Sequence, residues 1–356
     1  MHLRSRSTRL LPALALAVVG ALAAPRVAHA QDAGNIDINP FRFAVDSRGY
    51  LTVDASQVLG HKELSLGIVT NWGRHLLVFE NGDQTFEVTN VVTPTLHGAF
   101  GLKLGPAELE LAISMPFSIM SGDRNPDDDG GTPTPNDDNK FGLSGQGLGN
   151  VGVHLKTRFL KTSKGPKIGL GLILSAFLPT ASEKDRFLAE DGLQPAASVI
   201  LDKEFGKQRN LRFAVNAGIK LHTGTTSWTD TGNGDPGSPA TNKTIDSGSA
   251  EVPVGVAIAW SIAPQKFDLI GEVFGSLPLG GENYLPLEAI GGVKLYLGKN
   301  SFFSLGGGRG LVTTKGANPD LRAFIGIIFE PNIGDRDGDG YKDDVDECPD
   351  DPEDFD

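Results

Sequence analysis

The chain has 356 residues, 39% hydrophobic and 21% charged, with 46 glycines, a single cysteine and a formal net charge of −12. That length accommodates one large domain with appendages, and one cysteine excludes a disulfide framework within the main domain. The absence of a basic surface excludes a nucleic-acid partner. No segment beyond the first thirty residues approaches eighteen uninterrupted apolar residues, which excludes a helical membrane protein.

Residues 1–30 read as a signal peptide. Arg4, Arg6 and Arg9 precede an apolar run from Leu10 to Ala24, and Ala28-His29-Ala30 offers small residues for cleavage before Gln31. The run is too short and wrongly flanked for a spanning helix. No cysteine lies near the cut, so the expected product is an exported protein without a lipoprotein anchor. Residues 31–61 are polar, with Ile36, Ile38, Phe41 and Phe43 scattered among them and no sustained period. The first expectation is a periplasmic N-terminal segment. The second is a plug inside the domain that follows, with Phe41-Arg42-Phe43 and Val58-Leu59-Gly60-His61 packed within.

From Lys62 the pattern changes. Leu64, Leu66, Ile68 and Trp72 share one face of an extended strand, and LLVFENGDQTFEV places an Asn-Gly turn signal between two alternating runs, which reads as the first hairpin continuing above the membrane. Thr93 to Leu104 returns with Leu96, Phe100, Leu102 and Leu104 on the same side, and Gly105-Pro106 makes a tight turn. The clearest stretch follows, AELELAISMPFSI from Ala107 to Ile119. Leu109, Leu111, Ile113, Met115, Phe117 and Ile119 point one way and Glu108, Glu110, Ala112, Ser114 and Ser118 the other, because successive strand side chains alternate.

Ser121 to Gln146 is Asp-rich, has nothing apolar to bury and reads as an exposed loop. Alternation resumes with Val151, Val153, Leu155, Thr157 and Phe159 opposite His154, Lys156 and Arg158, then returns through Ile168, Leu170, Leu172 and Leu174. After a medium loop, Leu193 to Phe205 descends and Leu211, Phe213, Val215, Ala217, Ile219 and Leu221 rise opposite Arg212, Asn216, Lys220 and His222. A long polar loop occupies Thr223 to Gly248. Val252 to Trp260, Phe267 to Leu279, Leu287 to Leu297 and Ser301 to Val312 follow. The last run is Leu321, Ala323, Ile325, Ile327 and Phe329, opposite Arg322.

Short turns alternate with long loops along this series, as a barrel embedded in an outer membrane requires. The expected fold is all-β: a transmembrane up-and-down antiparallel barrel of about 12 strands over residues 62–330, with short turns periplasmic and long loops outside. Twelve strands imply a narrow lumen. Apolar side chains face lipid, and Glu108, Glu110, Lys156, Arg158, Lys220, Glu272, Glu288 and Lys294 face inward, where they either pair and close the lumen or line a weakly selective pore. His97, His154 and His222 also project inward beside no recognisable nucleophile motif, so no enzyme activity is expected.

After Pro331 the composition shifts to DRDGDGYKDDVDECPDDPEDFD. Residues 335–356 carry a net −10, leaving −2 for everything before them. Asp335, Asp337, Asp339, Tyr341, Asp343 and Asp346 stand at the oxygen-ligand offsets of a twelve-residue calcium loop, with Gly340 at its sharp turn. Asp346 replaces the usual terminal Glu and no helices flank the loop, which argues against an EF-hand. Replacing Asp337 and Asp339 together is expected to abolish calcium uptake by the tail. Unchanged heats in titration calorimetry would refute the assignment.

This DxDxDGxxDxxDxCP pattern, from Asp335 to Pro349, resembles the thrombospondin type 3 repeat. In such repeats a cysteine pairs with one in an adjoining repeat. This chain has none, so either it is a fragment or Cys348 pairs between molecules. Signal peptide, barrel (62–330) and acidic repeat (331–356) in this order resemble the OmpA-like outer-membrane proteins of Gram-negative bacteria. The resemblance implies a terminal aromatic, Phe329, read by the assembly machinery, a tail in the periplasm, and a peptidoglycan-binding domain that is missing here. The leading expectation is a non-enzymatic outer-membrane anchor in lipid, carrying a calcium-stiffened linker with a structural role in the cell envelope. Adhesion through the outer loops is a further possibility. The alternative is a porin-like channel for passive diffusion of small solutes.

Overall fold

Alternation of apolar and polar side chains favours extended backbone, and the computed structural model shows where the resulting ladders close. It describes residues 36–81, 84–124, 145–163, 167–181, 187–206, 210–229, 242–298 and 300–331. The strands are β1 (Leu64–Asn81), β2 (Gln84–Leu104), β3 (Ala107–Arg124), β4 (Gly145–Leu148), β5 (Val151–Leu160), β6 (Ile168–Leu178), β7 (Gln194–Phe205) and β8 (Leu211–Leu221). They continue as β9 (Ser227–Thr229), β10 (Thr244–Asp246), β11 (Ala250–Ala263), β12 (Phe267–Leu279), β13 (Leu287–Tyr296), β14 (Phe302–Gly310) and β15 (Leu321–Phe329).

Twelve of these strands make the wall: β1, β2, β3, β5 to β8 and β11 to β15, each antiparallel to its neighbours. The last strand returns to the first, from Leu66 opposite Phe329 to Arg74 opposite Leu321, and this seam closes the cylinder. β4 is the upper continuation of β5. The two are separated at Gly149-Asn150, beside Pro116 of β3, which has no N–H to give the ladder. β9 and β10 pair only with each other, Trp228 opposite Ile245.

The first hairpin continues past the membrane span, as its two alternating runs and Asn-Gly signal lead one to expect: β2 begins at Gln84, and β1 and β2 hold 18 and 21 residues. Both exceed the roughly 9–11 residues that a tilted strand needs to cross a bilayer. β3 likewise continues to Arg124, past the point where its composition turns polar. β9 and β10 arise within the stretch expected to be loop, their three-residue length too short to show a period. Connections at the β1 entry end are short, including the Gly105-Pro106 turn, where Gly105 adopts a φ of +62° that favours glycine.

The wall has its apolar face outside. Leu111 is 47% exposed and Ile258 51%, while their inward neighbours Glu110 and Ala257 are 0% and 1% exposed. A soluble protein would have this reversed; an apolar outer band is what lipid demands. The glycine-rich β14 follows the same rule: Phe302 and Ser304 are buried inside and Leu305 lies outside. Val215, on the outer face of β8, therefore gives a direct test. Val215→Arg is expected to cost roughly 2–4 kcal/mol at mid-membrane, and Asn216→Arg, one residue along and facing inward, much less. Equal folding yields of the two variants in bilayers would contradict the facing.

Candidate functional site in the barrel lumen

The interior is occupied by residues 36–60. At the long-loop end Ile36 and Ile38 are buried in one cluster with Leu76, Leu77, Val88, Val91 and Met120 of the wall. Phe187, Leu188, Trp228, Ile245, Tyr284 and Ala317, from the loops, complete that cluster. Phe41 then meets Phe274 edge to face and lies tilted against Phe324, with ring centroids 6.1 and 5.4 Å away. Phe43 meets His97 edge-on. The chain turns at the opposite rim, where Arg48 Nη2 donates to both Glu63 and Glu330 at 2.6 Å and Ser47 also donates to Glu330.

It then doubles back. Glu272 accepts from the backbone N–H groups of Leu51 and Thr52, at 2.5 and 2.7 Å, and Asp202 accepts from Ser56 N–H at 3.2 Å. Leu59 N–H donates to Glu110 at 2.8 Å, after which the chain enters β1. At that entry Gly101 is close enough to Gly60 that an added Cβ would meet its carbonyl oxygen at 1.9 Å, so only glycine permits the approach. Residues 36–61 carry no period because these contacts are irregular: successive side chains meet different strands around the cylinder instead of one flat neighbour.

All eight charged residues expected inside do point inward. Lys156 pairs with Asp46 of the inner segment and both side chains are fully buried. Arg322 forms a forked pair with Glu288, at 2.9 and 2.5 Å, and donates to Asn39 and Asn71 at 2.8 and 2.7 Å. Lys294 donates to Gly49 O at 2.7 Å and lies 4.1 Å from the Phe302 ring centroid. Arg158 and Lys161 share Glu108 near the rim. Lys220 bridges Glu190 and Glu251. Burial alone would push the Glu190 carboxyl up, but Lys220 and His222 together hold it down to about 2. Isolated buried charges cost several kcal/mol each, and pairing with hydrogen bonds is what makes them tolerable.

Beside the inner segment a cavity of about 240 Å³ remains, lined by Phe43, His97, His154, Phe177, Glu190 and Lys220 among others. His154 accepts or donates at both ring nitrogens, to Ser114 at 3.1 Å and Ser175 at 2.8 Å. Neither nitrogen meets a carboxylate, so a Ser-His-acid relay is not assembled there. Asp335, Asp337, Asp339, Tyr341, Asp343 and Asp346 lie outside the described residues. Among the residues that sequence reasoning missed are Asp46, Arg48 and Asn39, from the stretch without periodicity, and Glu190 and Glu251, which meet Lys220.

A closed twelve-strand antiparallel cylinder with an apolar exterior and a charged interior defines an outer-membrane-type β-barrel. No family model matches the chain, and no curated protein matches it in sequence. Among solved structures, an outer-membrane channel from Pseudomonas putida F1 superposes with a TM-score of 0.56 at 11% identity, over 78% of this chain and 98% of that one. The transport unit of the autotransporter AIDA-I from Escherichia coli gives 0.40 at 10%, over 76% and 90%. The toluene transporter TbuX of Ralstonia pickettii gives 0.38 at 11%, over 78% and 91%. At such identities the similarity is one of fold.

Proposed function

We propose that this chain is an outer-membrane channel for small solutes, narrowed by its own N-terminal segment. The observation that carries this reading is a cavity that persists inside the wall alongside residues 36–60, lined by apolar side chains together with charged ones such as Glu190 and Lys220. A barrel serving only as an anchor has no need of an inner segment held on all sides by separate polar contacts. The Pseudomonas putida neighbour, a channel by description, supports the same reading. The apolar outer face suits a wall set in lipid, and the signal-like pattern of residues 1–30 suits export on the way to a Gram-negative outer membrane.

Purified protein in planar bilayers should show discrete current steps of low conductance. Electrically silent bilayers containing inserted, folded barrel would overturn the proposal. The anchor reading takes second place; what favours it is the acidic repeat of 335–349, whose oxygen-ligand spacing suits calcium. Enzyme activity is not part of either proposal.

A further inference from the structure

Where the loop after β6 folds onto the ends of β8 and β11, two carboxylates face one ammonium. Glu190, from the loop, and Glu251, from β11, both accept from Lys220 Nζ, at 2.7 and 2.9 Å. With a neutral His222 imidazole, that leaves one buried negative charge over, since Asp37 and Arg42 nearby pair with each other. His222 stands in the middle, as deeply buried as the two carboxylates. Its Nδ1 is engaged by Glu190 Oε2. Its Nε2 has no hydrogen-bond partner, and neither has Glu251 Oε2.

The separation of the two side chains is informative. His222 Nε2 lies 3.9 Å from Glu251 Oε1, the oxygen that Lys220 holds, too far for a hydrogen bond, and the carboxylate's other oxygen, Oε2, is the one left without a partner. Two ligands of one zinc-like ion, each about 2.0–2.2 Å from it, stand roughly 3–4 Å apart. One ligand atom from each of Glu190, His222 and Glu251 falls within 4.8 Å of the others. A carboxylate on one imidazole nitrogen also fixes the tautomer, so that the other presents its lone pair. Proteins orient metal-binding histidines in this way.

We propose that His222 Nε2 and Glu251 hold a divalent transition-metal ion of the zinc class, with Glu190 orienting the imidazole. The ion satisfies both orphaned atoms, more than offsets the surplus negative charge and ties His222, which the loop residue Glu190 holds, to Glu251 of β11. Calcium does not suit the site, because it takes six to eight oxygens and this donor set includes a nitrogen. The site is independent of whether the lumen conducts.

The test uses the untagged full chain in detergent, with excess calcium present to occupy carboxylate sites in the tail. Titration with Co²⁺ should reveal one tight equivalent with visible absorption bands, displaced by Zn²⁺. Glu190→Gln should weaken it about 10–100-fold, the usual effect of losing an orienting partner. His222→Gln and Glu251→Gln should remove it. Failure of the wild-type protein to bind one equivalent, or undiminished binding by His222→Gln, would overturn the proposal. Should a variant fail to fold, Cu²⁺ electron paramagnetic resonance of the wild type decides: nitrogen hyperfine splitting from imidazole supports the site, and an oxygen-only spectrum sinks it.

Discussion

Arg322→Ala is expected to destabilise the folded barrel by about 3–5 kcal/mol, the range for breaking a fully buried ion pair from one side. Arg322 and Glu288 are both 0% exposed, and the guanidinium is the only cation bonded to that carboxylate among the described residues. The loss strands Glu288 inside the wall, removes the donor to Asn39 Oδ1 and leaves Asn71 Oδ1 with Asn39 Nδ2 alone. Most of the cost is the abandoned carboxylate, not the attraction itself. The double variant Arg322→Met, Glu288→Met should accordingly recover much of it, since well-packed apolar replacements of buried pairs are often neutral. Urea titration of the barrel in liposomes measures both. A loss under about 1 kcal/mol for the single variant, typical of a solvated surface pair, would show that water reaches Arg322 and that the lumen is wetter than described.

Deleting residues 36–60 should raise the unit conductance several-fold in planar bilayers. Lys156, Lys294, Glu110, Glu272 and Arg322 would all lose partners from that segment. Charges released in this way hydrate, and a hydrated charged bore carries ions. Asp46→Asn offers a milder version, since it removes the only carboxylate bonded to Lys156 among the described residues. It should produce flickering openings above the wild-type step. A folded deletion variant with unchanged conductance would mean that the inner segment does not limit passage.

The wall was legible because a strand that separates lipid from a polar lumen must alternate. Leu109 to Ile119 and Leu321 to Phe329 each write that demand out residue by residue. β14 was harder, since Gly306, Gly307 and Gly308 have no side chains with which to report a face. The long first hairpin was legible from its two alternating runs and the Asn-Gly signal between them, whereas the matching extension of β3 to Arg124 was not, because its composition turns polar there. The inner segment was legible only as buried aromatics without a period. Its partners lie as far as 283 residues away in sequence, as Ser47 does from Glu330, and no local pattern records such contacts. The Glu190–His222–Glu251 group shares this limit, because it forms only when a loop and two strand ends meet.

Arg48 grips Glu63, immediately before the first strand, and Glu330, immediately after the last. One guanidinium thus rivets the two chain-distant margins of the cylinder together, a grip unattainable while those margins are apart. The free energy of that grip accrues only to a finished cylinder, so it biases assembly towards completion and against stalled, gaping sheets. Biogenesis of Arg48→Gln should therefore leave more open, protease-sensitive intermediates than wild type, even where the finished molecules look alike.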